Sequence, residues 1–145
     1  MQECPRPILG FSTNSGIKTS DESNPCKWLR YMFIYPSDNT LYLGKAIPRE
    51  WFQSGKELSV TGAATPYGTV SVDYRPALSQ SKITLTASLS LRRLPGRIIA
   101  RFRHPDKLPI KSVLVNGQKY SNFDAVKGDV DLSGLRDNLV VEAHY

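Results

Sequence analysis

Glu50 stands beside Trp51 in the stretch "TLYLGKAIPREWF", residues 40–52, as a sugar-cleaving carboxylate beside an aromatic platform would. Cleaving a glycosidic bond takes two carboxyl groups flanking it, about 5 to 10 Å apart according to mechanism. The neighbour of Glu50 is Arg49, and the next acid along the chain is Glu57, across a glycine turn. No second acid has a suggestive spacing. The competing reading needs no partner: Pro48 opens a single helical turn, Glu50 favours its N-terminal end, and Trp51 or Phe52 anchors it to the core. The sequence favours a corner over a catalytic carboxylate.

Other chemistries have still less support. His104 and His144 are the only histidines, and no G-x-S-x-G elbow is present to hold a nucleophilic serine. His104 lies in "RFRHPDK", which reads as a solvated turn. A zinc site would have to join Cys4 or Cys26 to a remote histidine, and neither C-x-x-C nor H-x-x-x-H spacing occurs. The two cysteines read as free thiols, or as a disulfide in an oxidising compartment. "GKEL" lacks the remaining parts of a phosphate loop. The expectation is a chain with no catalytic residue, no metal and no cofactor.

The net charge of +6 permits attraction to nucleic acid or to an anionic surface. Arg92, Arg93, Arg97, Arg101 and Arg103 fall within twelve residues. On a strand Arg97, Arg101 and Arg103 share one face. Sheet-type nucleic-acid binders interleave such charges with exposed aromatics, but Phe102 has the opposite parity and should point into the core. A solvated face paired with acids across the sheet is the preferred reading.

The elements that must hold these residues are short and β-like. Residues 1–26 are polar and aperiodic and read as an irregular arm, and 27–145 as one β-sandwich domain. "KWLRYMFIYP" is too apolar for the surface, and its length alone does not separate a short helix from a buried strand. "SKITLTASLSL" alternates Ile83, Leu85, Ala87, Leu89 and Leu91 against Ser and Thr, the cleanest period of two in the chain. "YGTVSVDYRP" does the same with Val70, Val72 and Tyr74, while Ile99 breaks the alternation of "GRIIARFRHP". "SDN" and Asn116-Gly117 are hairpin signals. Together these predict an all-β, antiparallel two-sheet sandwich, its core including Ile83, Leu85, Leu89, Val113, Val115 and Val140. No stretch approaches the about 18 apolar residues of a membrane helix. No secretory leader is visible, so a cytoplasmic location is expected.

Three motifs in order carry a family resemblance: L-x-L-G-x-A-x-P-R-x-W (41–51), T-P-Y-G-T-V-S (65–71) and R-x-R-H-P followed by I-x-S-V-x-V-N-G (101–105 and 110–117). From residue 28 to 145 the chain resembles the C-terminal β-sandwich appended to six-hairpin (α/α)6-barrel glycoside hydrolases of rhamnosidase-like type. In those enzymes the catalytic acids come from the helical barrel, which has no counterpart here. The resemblance therefore implies a non-catalytic accessory domain acting through protein contacts or self-association. Its docking face would be marked by Trp51, Phe52 and Tyr67. One alternative is a carbohydrate-binding module stacking sugar rings on Trp28, Trp51, Tyr67 or Tyr120. A basic nucleic-acid-binding domain is the second.

Overall fold

The structure, a computed structural model, describes residues 19–145, with side chains from residue 24 onward. Regular structure begins with helix α1 (Thr19–Phe33), which takes in the end of the stretch expected to be irregular and runs through Pro25. Proline removes a backbone donor from a helix interior, so this segment gives little helical signal in sequence. Residues 1–18 of the expected arm, Cys4 among them, lie outside the described residues. Cys26 is an exposed thiol on α1. The "KWLRYMFIYP" segment is helix and strand in succession, because β1 (Ile34–Ser37) begins directly after Phe33.

The other strands are β2 (Thr40–Leu43), β3 (Leu58–Thr65), β4 (Gly68–Ala77), β5 (Lys82–Leu91), β6 (Arg97–Arg101), β7 (Ser112–Val115), β8 (Gln118–Tyr120), β9 (Phe123–Asp124), β10 (Asp129–Asp131) and β11 (Asp137–His144). They form a five-stranded sheet, β1-β2-β6-β10-β9, and a six-stranded sheet, β3-β4-β5-β11-β7-β8. The expected two-sheet sandwich is present. One pairing departs from the antiparallel rule: β2 and β6 run parallel. Between them the chain builds β3 to β5 of the other sheet, and a crossover of that kind can return a strand in the same direction. The predicted hairpins are also there. Asp38 and Asn39 have φ of 49° and 58°, Asn116 and Gly117 50° and 78°, the left-handed pairs that turn a tight hairpin.

Alternation decides what faces inward. Ile83, Leu85, Ala87 and Leu89 are buried, as are Val113 and Val115. Val140 corrects the expectation, for it is 41% exposed while Val141 is fully buried. In "NLVVEAHY" either valine could face the core. Register chooses Val141, which pairs with Leu85, whereas Val140 pairs with Thr86.

Tyr74 on β4 ties the two sheets to the corner after β2. Fully buried, it donates its hydroxyl to the Leu43 carbonyl at 3.0 Å and meets Phe52 and Phe102 edge-on at 5.5 and 5.6 Å. Burial pushes this phenol far above its ordinary range, helped by Tyr145 and Asp129, so it stays a neutral donor. Gly44 makes the close approach possible. Its φ is +72°, and a Cβ there would lie 2.5 Å from the Tyr74 hydroxyl oxygen. The same corner caps α1, since the Gly44 and Ala46 amides donate to the Phe33 and Met32 carbonyls at 2.7 and 3.2 Å, groups a helix end leaves unpaired.

Candidate functional site

The outer face of the five-stranded sheet carries a groove of about 550 Å³. Its floor follows from strand parity. Leu41, Leu43, Ile98, Ala100 and Val130 are buried on the core side, leaving Tyr42, Arg97, Ile99, Arg101, Asp129 and Asp131 for the other face. Register brings them together: Tyr42 lies beside Ile99, Asp131 beside Ile99, and Asp129 beside Arg101. Asn122, Phe123, Asp124 and Lys127 also line the groove, as does Lys45. Ile99 is only 5% exposed although it points away from the core. The break in alternation seen in the sequence thus marks the groove floor.

The charges on this floor are fixed in pairs. Arg101 donates Nε and Nη2 to the two oxygens of Asp129, each at 2.6 Å, the two-pronged geometry that aligns both side chains. The bond to Asp129 raises the Arg101 guanidinium above its usual value. Arg97 donates to Asp131 at 3.1 Å. Burial would raise the Asp131 carboxyl, but hydrogen bonds from the Ser133 hydroxyl and amide, with Arg97, outweigh it and hold the carboxyl below its usual value. Asp124 is likewise lowered, chiefly by the Lys127 amide, and its carboxylate sits 3.4 Å from the Lys127 ammonium. Lys45 differs. Its ammonium lies 3.7 Å from the centre of the Tyr42 ring and 5.1 Å from that of Tyr35. Tyr42 and Tyr35 are cross-strand partners with stacked rings at 6.3 Å.

The arginine stripe read from the sequence is therefore in part this floor. Arg97 and Arg101 are paired with acids across the sheet, and Phe102 is buried on the opposite side. Arg103 falls beyond the end of β6 and donates to the Lys45 carbonyl at 2.7 Å. Which acids would partner the arginines was not legible, because "DVD" at 129–131 comes into register with β6 only through the fold.

The other sequence candidates are scattered. Arg49–Trp51 forms the single helical turn expected after Pro48, with Glu50 exposed. Phe52 is fully buried against Tyr74 and Tyr67 is 6% exposed. Both rings are turned to the core. Trp51, at 37% exposure, keeps an accessible face. Trp28 is 63% exposed on α1, and Tyr120 is half-buried with its hydroxyl donating to the Asp131 carbonyl at 2.6 Å. His104 is buried rather than solvated. It accepts from the Asp106 amide at 3.1 Å and lies 4.7 Å from the Tyr145 ring.

Among the described residues no group of three or more His, Cys, Asp or Glu side chains could hold a metal ion. Nor is any helix among them long and apolar enough to cross a membrane. Compared with known proteins, the chain matches no protein-family model and no curated protein. Among solved structures it is similar to a chain described as "Glycoside hydrolase", at 12% identity and a TM-score of 0.43. The likeness covers 72% of this chain and 16% of that one.

Proposed function

We propose that this chain is a non-catalytic binding domain that holds a carbohydrate chain in the groove on the outer face of its five-stranded sheet. One observation carries the reading: a pre-aligned floor of Arg–Asp pairs beside the Tyr35–Tyr42 step and the Ile99 methyls. Sugar recognition needs fixed donors and acceptors for hydroxyl groups next to apolar surface for ring faces, in a site largely formed in advance. The Arg101–Asp129 and Arg97–Asp131 pairs are aligned in that way. A general acid needs a carboxyl pushed upward, whereas Asp124 and Asp131 are both lowered.

Ancestry in the C-terminal sandwich of rhamnosidase-like glycoside hydrolases is part of the same reading. The residues of the resembling motifs do structural work at the corner: Gly44 admits Tyr74, and Arg49 donates to the His104 carbonyl at 2.9 Å. Tyr42 and Lys45 occupy positions those motifs leave open. Arg101 is itself the first residue of the R-x-R-H-P motif, so the resemblance takes in part of the groove floor as well as the frame.

A glycan array on the purified chain tests the proposal. At least one oligosaccharide is retained, and Arg101→Met, with an unchanged fold by circular dichroism, releases it. Retention of none contradicts the proposal. Polysaccharide turnover that survives purification and vanishes in Glu50→Gln would contradict the non-catalytic part.

Protein contact is the second reading, favoured by Trp28 and Leu29 exposed on α1 and by the open face of Trp51. A self-associated species in light scattering that is lost in Trp28→Ser supports it. A monomer with Trp28 intact contradicts it.

A further inference from the structure

We infer that the saccharide is acidic, carrying a carboxylate or sulfate that seats against Lys45; the inference rests on the groove reading above. Three of the four cations lining the groove have a carboxylate partner: Arg97 has Asp131, Arg101 has Asp129 and Lys127 has Asp124. All three carboxylates that line it are taken up in this way. Lys45 forms no ion pair among the described residues and rests on the rings of Tyr42 and Tyr35 instead. Ring faces hold an ammonium less strongly than a carboxylate does, so this charge is available to an incoming anion.

The surroundings sharpen the imbalance. Arg103 bonds the Lys45 carbonyl, and its Nε is buried without a partner. Burial lowers the Arg103 guanidinium, and repulsion from Arg101 and Arg49 lowers it further. The corner at Lys45 is therefore electropositive, while the floor beyond it is neutralised. An acidic sugar presents its carboxylate or sulfate next to hydroxyl groups, and so matches one net-positive corner beside a floor of aligned donors and acceptors. A nucleic acid presents few hydroxyl groups beside its phosphates and would leave the paired donors and acceptors of the floor unmatched.

Calorimetric titration of the whole chain tests this with oligogalacturonate, its fully methyl-esterified form, a sulfated oligosaccharide and a single-stranded DNA. The expected result is binding about tenfold tighter for the uronate or the sulfated chain than for the ester, the scale of one charge-assisted hydrogen bond. Whichever acidic chain binds tighter identifies the source of the anion. Lys45→Met brings its affinity down to that of the ester, Lys45→Arg retains most of it, and added salt weakens the acidic ligand selectively. Equal affinity for acid and ester overturns the inference and leaves the carbohydrate groove standing. Binding of no saccharide removes both. DNA bound more tightly than every saccharide overturns the inference in favour of nucleic acid.

Discussion

The two outer faces of this sandwich are built on one core yet differ in what they present. The six-stranded sheet turns out small hydroxyl side chains, with Ser71 and Asn138 flanking Ser88 and Thr69 beside Ser90. The five-stranded sheet turns out tyrosines, arginines and aspartates around a groove. Each face carries a part-buried ion pair of similar length and exposure, single-contact on one and two-pronged on the other. Lys82 and Glu142 pair at 2.7 Å with side chains 26% and 23% exposed, against 2.6 Å and 25% and 21% for Arg101 and Asp129. What sets the faces apart is what surrounds the pair. On one face it stands on a hydroxyl surface, and on the other it is half of a recessed, two-pronged floor beside aromatic rings.

The largest change expected in either face comes from the core beneath both. Tyr74→Ala removes two edge-on aromatic contacts and a buried hydrogen bond and should cost about 3–5 kcal/mol, abolishing groove and hydroxyl face together. Tyr74→Phe should cost only about 1 kcal/mol. Urea denaturation checks both values, and equal effects would mean that the Leu43 bond rather than ring packing holds the corner.

Next in size is the matched pair of charges. Arg101→Met and Lys82→Met should each lower stability by about 1 kcal/mol, as part-exposed ion pairs do. Saccharide affinity should fall about tenfold or more in the first variant alone. Equal binding losses would dissolve the distinction between the faces.

Acid should separate them more gently. The folded-state carboxyls of Asp131 and Asp124 lie below their unfolded values. Their contribution is therefore present above the unfolded value near pH 4 and is lost as pH falls through the lower, folded one. Asp131→Asn should lower stability at neutral pH, where that contribution is fully present, and flatten the profile through that window, so that variant and parent converge below the folded value. A profile unchanged from the parent chain would contradict the assignment. Smallest of all is Ser88→Ala on the hydroxyl face, expected within about 0.5 kcal/mol in stability and silent in binding.

The frame was more legible in sequence than the groove, and particular residues say why. A period of two fixes the inward face of β5 from Ile83 to Leu89, and dipeptides such as Asn116-Gly117 state their turn chemistry locally. Adjacent valines at 140 and 141 carry no such local signal, so the choice between them waited on pairing with Leu85. The groove is non-local throughout. Tyr42 and Ile99 meet across a parallel pairing separated by the whole of β3 to β5, and Asp129 reaches Arg101 only once β10 is in place. The aromatic-rich motifs drew the eye to Phe52 and Tyr67, whose size suits a core corner equally well. Ile99, the one residue out of phase, was the sequence's local sign of the floor.

Amide chemical-shift mapping during titration with an oligosaccharide retained by the array tests the central claim most directly. The account predicts that the largest perturbations cluster at Tyr42, Lys45, Ile99, Arg101, Asp129 and Asp131, with Thr84, Thr86 and Ser88 unmoved. Perturbations centred on Thr84 to Ser88, or on Trp28 and Leu29 of α1, would contradict it.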